Sequence, residues 1–211
     1  MSAPESPSEV PAGPPSTDRR AIDLIVIGCS AGGPPALQEI LPVLPRDTTA
    51  AVLVAQHMPQ RFTSLFAGRL NRLCALPVSE PKDGDRVAPG RIYIAAGGQQ
   101  TTVDRKKPGI VFRVRPRAAS ERYAPSADLL MRSVAGLFGS RVLAVLMTGM
   151  GGDGVEGLRA VKERRGRTIA ESEETAAVFG MPRGAIRAGV ADRVLPRREI
   201  ALEMARLCRR P

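Results

Sequence analysis

Ser30, His57 and Asp153 are the side chains of this sequence whose types and surroundings could together make and break bonds. Ser30 follows the aliphatic run Leu24 to Gly28 and precedes Gly32-Gly33-Pro34-Pro35, so it stands where a strand turns into a helix. His57, the chain's one histidine, follows the apolar run Ala50 to Ala55. Asp153 belongs to Thr148-Gly-Met-Gly-Gly-Asp-Gly154, which follows the run Val142 to Met147. A serine hydroxyl is a poor nucleophile until an imidazole takes its proton, and a carboxylate can fix that imidazole's tautomer and stabilise its charged form. Attack on a carbonyl creates an oxyanion that needs N–H donors. The Ala31 amide and the amides of the 149–152 turn, Met150 and Gly151 among them, are the candidates.

Each residue also has an ordinary reading. Ser30 would serve as a helix N-cap, His57 as a surface hydrogen-bonding group, and Asp153 as a turn or cap residue between glycines. Cys29 reads as packing, although a thiol beside the turn competes for the nucleophile's role. Gly28-Cys-Ser-Ala-Gly32 satisfies G-x-S-x-G, but the order Ser30, His57, Asp153 differs from the serine, acid, histidine order of α/β-hydrolases. The same turn is not G-x-G-x-x-G, and no acidic residue closes the second strand, so dinucleotide binding is poorly supported.

The elements that must position these residues alternate along the chain. The opening strand leads to a helix over 35–43, a strand over 50–55 and a helix over 60–73. Residues 91–115 interrupt this rhythm with short strands and close turns, which predict antiparallel hairpins. A helix over 125–138, a strand over 142–147, a helix to about residue 165 and a strand over 167–170 follow. The remainder offers a Gly-Met-Pro turn at 180–182, a strand near 190–195 and a final helix. The expected fold is α/β: a doubly wound, mostly parallel sheet with helices on both faces and an antiparallel insertion around residues 91–115. Parallel strands end on one edge, and sites gather there, so the serine, the histidine and the aspartate are expected together.

Composition bounds the rest. The 211 residues suffice for one well-buried domain, and residues 1–20, rich in Pro, Ser, Gly and Ala, read as a disordered arm before a single domain over 21–211. Three cysteines, at 29, 74 and 208, give neither a disulfide framework nor a zinc spacing. No cofactor or metal is expected. No apolar run is long enough to span a bilayer, and no signal-peptide pattern is present, so a cytoplasmic protein without membrane insertion is expected. The net charge of +10 resides in groups such as Arg105-Lys106-Lys107, Arg113/Arg115/Arg117 and Lys162 to Arg167. These are scattered and not interleaved with aromatics. They read as a solvated basic face or a dock for an acidic protein partner, not as a nucleic-acid site.

Four segments carry a resemblance: Ile27-Gly-Cys-Ser-Ala-Gly-Gly33, Gln56-His-Met-Pro59, Thr148 to Gly154 and Gly180-Met-Pro-Arg183. Their order and spacing resemble the CheB-type chemotaxis protein-glutamate methylesterases, with further matches at Pro125-Ser-Ala-Asp128 and Ala170 to Met181. The likeness covers roughly residues 21–196. It implies a doubly wound catalytic domain that hydrolyses glutamyl methyl esters on the cytoplasmic part of methylated chemoreceptors, and also deamidates receptor glutamines. The family's serine, histidine and aspartate fall on Ser30, His57 and Asp153, and its TGM methionine on Met150. Family members usually carry an N-terminal receiver domain. Residues 1–20 are too short to be one, so a catalytic domain alone is expected, controlled by a separate regulatory protein or not at all. Ala31 stands where the family often has threonine. Ala96 to Thr101 replaces the usual Pro-Gly-x-x-His segment, so substrate docking is expected to differ there. A catalytically silent receptor-docking module and a phosphate- or nucleotide-binding α/β protein are the alternatives.

Overall fold

The computed structural model describes residues 22–208. The disordered arm expected over 1–20 lies outside them. The chain runs β1 (Leu24–Cys29), α1 (Gly33–Ile40), β2 (Ala51–Gln56), α2 (Gln60–Leu73), β3 (Val78–Ser79), β4 (Ile92–Ile94), β5 (Gln99–Lys106) and β6 (Gly109–Pro116). It continues through α3 (Ala127–Phe138), β7 (Val142–Leu146), α4 (Val155–Glu163), β8 (Arg167–Glu171), α5 (Gly180–Arg187), β9 (Arg193–Leu195) and α6 (Arg197–Leu207).

Seven strands form one sheet in the order β3-β4-β2-β1-β7-β8-β9, every pair parallel. β1, β2 and β7 are buried along their whole length. Their unbroken aliphatic sequences are what a sheet covered on both sides demands. Alternate side chains go to opposite faces. Ile25, Ile27, Val52, Val54 and Val145 pack with Leu37 of α1, Leu70 of α2 and Met204 of α6. Leu24, Val26, Leu53, Ala144 and Leu146 pack with Leu130 of α3, Leu158 of α4 and Met181 of α5. The expected doubly wound α/β architecture is therefore present.

Two local expectations change. The antiparallel insertion consists of β5 and β6 alone, whereas Ile92–Ile94 joins the parallel sheet between β2 and β3. All three residues of β4 are buried, which suits a central parallel strand. The hairpin strands keep one face open. Residues 180–182 are not a free turn but the start of α5, because proline in a first helical turn has no N–H to lose. The hairpin is anchored by fully buried Phe112, 4.7 Å from the Tyr93 ring, and by the Val103 amide donating to Ser133 Oγ of α3 at 3.1 Å. Its exit strand then feeds residues 117–126 back toward the sheet's C-terminal edge.

Candidate active site

β1 lies at the centre of the sheet. The chain moves outward from it to β2 and the edge strand β3, lays β4 between those two, then returns to β7 and winds outward the other way. Such a reversal leaves a crevice at the strands' carboxyl ends. Register brings the three turns together there. Cys29 is level with Gln56 of β2, and Gly28 with Leu146 of β7. The His57 amide donates to Cys29 O at 3.0 Å, and the Ser30 amide to Thr148 O at 2.9 Å.

Two side chains lock these turns. Gln56, 1% exposed, donates from one Nε2 to Ser30 O at 3.0 Å and His57 O at 2.9 Å, and accepts from Cys29 Sγ at 3.1 Å. Thr148 Oγ1 donates to Ala31 O at 2.8 Å and accepts from the Val178 amide at 3.0 Å. The Thr148 amide donates to fully buried Glu171 at 2.8 Å, and that carboxylate also receives Thr175 Oγ1 and Arg197 Nε. Close approach completes the fit. A Cβ on Gly149 would sit 2.8 Å from Ser30 Cβ and collide with Met181 Sδ.

His57 and Asp153 meet directly: Nε2 lies 2.7 Å from Oδ2, with the carboxylate side chain 2% exposed. Asp153 also sits on the N-terminus of α3. The Ala127 amide donates to Oδ2 at 2.7 Å, the Asp128 amide to Oδ1 at 3.1 Å, and the Ser126 hydroxyl to Oδ1 at 2.8 Å. Burial pushes the Asp153 pKa up, but the bonds from His57, the two amides and the Ser126 hydroxyl outweigh it and hold the carboxyl below its ordinary value. The arrangement is reciprocal. Asp128 of α3 accepts from the amides of Gly154 and Gly157 at the start of α4, at 2.9 and 2.6 Å. Burial raises the Asp128 pKa and the nearby Asp153 charge adds to it, against those two donors.

Tyr123 stacks on the His57 imidazole, ring centroids 4.8 Å apart and planes 10° from parallel. A Cβ on Gly151 would lie 2.6 Å from the Tyr123 hydroxyl, so this ring reaches from the histidine to the glycine turn. Gly151 itself has φ +99°, a conformation side chains resist. The Ala31, Met150 and Gly151 amides find no acceptor among the described residues. They are therefore available to a bound oxyanion, whereas the Ser30 amide is taken by Thr148. The Met150 side chain is 72% exposed, so only its backbone fits the supporting role expected of it.

Ser30 shares the edge with His57 and Asp153, but its hydroxyl makes no hydrogen bond to the imidazole or to any other described residue. With Nε2 on Asp153, Nδ1 is the ring nitrogen left to take a proton. Cys29 is no rival. It is fully buried, and burial first and the Glu171 charge second push its thiol far above the ordinary range. Among the described residues no three His, Cys, Asp or Glu side chains are grouped to hold a metal, and no helix is long and apolar enough to cross a membrane.

Reading the sequence left Tyr123, Ser126, Gln56 and Glu171 without roles. Each carried a signal. Tyr123 is one of two tyrosines in an aromatic-poor chain, Ser126 opens a helix beside an aspartate, and Gln56 and Glu171 are polar ends of apolar strands.

The CheB methylesterase family model matches residues 25–204. The chain belongs to the CheB methylesterase family. It is 45% identical over 187 residues to a Geobacter sulfurreducens protein-glutamate methylesterase/protein-glutamine glutaminase, covering 89% of this chain and 50% of that one. A like-named protein of Anaeromyxobacter dehalogenans is 48% identical over 186 residues, covering 88% and 51%. The chain thus spans about half the length of these curated relatives. The crystal structure of the Thermotoga maritima CheB methylesterase catalytic domain superposes with a TM-score of 0.85 at 38% identity, covering 89% of this chain and 100% of that one. The parallel sheet and its hairpin are accordingly the CheB catalytic-domain fold.

Proposed function

We propose that this chain is a serine hydrolase that cleaves glutamyl methyl esters on chemoreceptor-like proteins, and glutamine amides at the same site. The observation that carries this reading is the 2.7 Å His57–Asp153 bond at the edge where Ser30 emerges, in a chain of the CheB methylesterase family. Ser30 Oγ attacks the ester carbonyl while His57 Nδ1 takes its proton, and Asp153 stabilises the resulting imidazolium. The amides of Ala31 and Met150, with Gly151 beside them, receive the oxyanion. Collapse of the tetrahedral intermediate expels methanol, protonated by His57, or ammonia from an amide. Water, deprotonated by His57, then attacks the acyl-enzyme and releases the glutamate carboxylate. The open hydroxyl of Ser30 suits this course, because nucleophile-to-base bonds in empty sites are often long and tighten around substrate.

Methanol release from methylated receptor fragments tests the reading. Ser30→Ala is expected to cost at least about 10³-fold in kcat, the scale of losing a nucleophile. Retained activity in that variant removes Ser30 from the mechanism. Absence of activity in the wild type would leave a docking module that binds receptors without cutting them.

A further inference from the structure

The cleft beside His57 has walls of one charge. It measures about 510 Å³, within the usual range for ligand sites, and His57, Met58, Gly98, Arg117, Arg122 and Tyr123 line it with no acidic side chain. Arg117 and Arg122 are both exposed, and neither has an ion-pair partner among the described residues. Their neighbours differ. Arg113 pairs with Asp104 at 3.2 Å, and Arg115 grips Glu121 with two nitrogens, at 2.5 and 3.0 Å.

Glu121 is the one acid between Arg115 and Arg122, and it is fully engaged. The Arg115 hydrogen bond, followed by the Ala118 amide at 2.7 Å, pulls its carboxyl down to about 2. It therefore forms no ion pair with the other two guanidinium groups, although Arg122 also borders the neighbouring cavity that Glu121, Asp128 and Asp153 line. Arg122 lies over the Tyr123 ring, 5.3 Å from its centroid, and that same ring stacks on His57. An unpaired positive charge thus stands one aromatic ring away from the reacting imidazole.

We propose that Arg117 and Arg122 form a carboxylate-binding rim, and that the substrate segment carries acidic side chains flanking the glutamyl ester. This rests on the esterase reading above and narrows its substrate to an acidic peptide. Guanidinium groups match carboxylates with paired, charge-assisted hydrogen bonds, and at a solvent-facing rim the attraction also speeds encounter and fades with salt. Such contacts exist before and during reaction alike, so they act on KM and leave kcat alone.

Three peptides of equal length, each bearing one glutamyl methyl ester flanked by Glu, Gln or Lys, provide the test. The wild type is expected to favour the Glu-flanked peptide over the Gln-flanked one by roughly tenfold in kcat/KM, through KM, with the gap closing at high salt. Arg117→Glu/Arg122→Glu is expected to favour the Lys-flanked peptide, and the milder Arg117→Gln/Arg122→Gln pair to flatten the preference. Equal kcat/KM for the three peptides, or an order unchanged in both double variants, overturns the rim. Fluorescence anisotropy of the same peptides on Ser30→Ala reads the binding order without turnover. If no peptide is hydrolysed by the wild type, the esterase reading falls while the binding order still judges the rim. Displacement of the Glu-flanked peptide by an equimolar oligonucleotide would reassign the arginines to phosphate and likewise overturn it.

Discussion

Asp153 receives four hydrogen bonds, and only one comes from His57; the others come from Ser126, Ala127 and Asp128. A carboxylate that satisfies two backbone amides of a helix start cannot be amidated without loss on two fronts. Asp153→Asn is expected to lower kcat by roughly 10³- to 10⁴-fold, the size seen when a triad aspartate becomes an amide. It should also cost about 2–4 kcal/mol in urea melts, as charge-assisted bonds weaken. Tyr123 predicts a smaller and separable effect. Tyr123→Phe keeps the stack on His57, whereas Tyr123→Ala removes it, so steady-state kinetics should place the phenylalanine variant near wild type and the alanine variant about tenfold lower in kcat. That gap corresponds to the roughly 0.5–1.5 kcal/mol of an aromatic pair. That Ser30, His57 and Asp153 would share one sheet edge was legible because each lies in the turn that follows an apolar run. Tyr123 was not, since it sits in an irregular segment whose path depends on where a distant hairpin folds.

The elements that hold the site are α3 and α4, each of which offers its N-terminal amides to a carboxylate carried by the other's end of the chain. Their approach is close at Gly157, where a Cβ would lie 2.7 Å from Met131 Cβ and 3.1 Å from Asp128 Cα. Helix propensity alone predicts that Gly157→Ala stabilises by up to about 1 kcal/mol. The contact predicts the opposite sign, a loss of about 1–3 kcal/mol, together with lower kcat as the α3 amides shift from Asp153. Thermal unfolding and methanol release on one variant decide between them. The β–turn–α units were readable from periodicity and punctuation. α5 was not, because its Gly-Met-Pro start carries turn residues, and what makes it helical is packing. The Met181 amide donates to Gly149 O at 2.8 Å, and its side chain is fully buried.

Across the whole molecule, the parallel sheet and its reversal at β1 explain why residues 27, 96 and 123 positions apart converge, counting from Ser30 to His57, from His57 to Asp153 and from Ser30 to Asp153. That convergence followed from the alternating pattern alone, whereas the extent of the hairpin required knowing which short strand a covered sheet would claim. The charge economy of the site has a signature in acid. Asp153 is held below the ordinary carboxylate value, so its contribution is fully present above about pH 4 and is lost as pH falls through the lower folded value. The stability gap between wild type and Asp153→Asn should therefore narrow as pH falls below about 4 in denaturant titrations. Asp128, shifted upward, acts in the opposite sense and favours the fold as it takes up a proton. The cross-capped helices also bear on how such a protein would age. A duplicated copy released from selection for hydrolysis would drift freely at Ser30, whose side chain bonds to no described residue, and slowly at Asp153, which the start of α3 needs whether or not an ester is ever cut. A descendant with another residue at position 30 and aspartate kept at 153 is the expected relic.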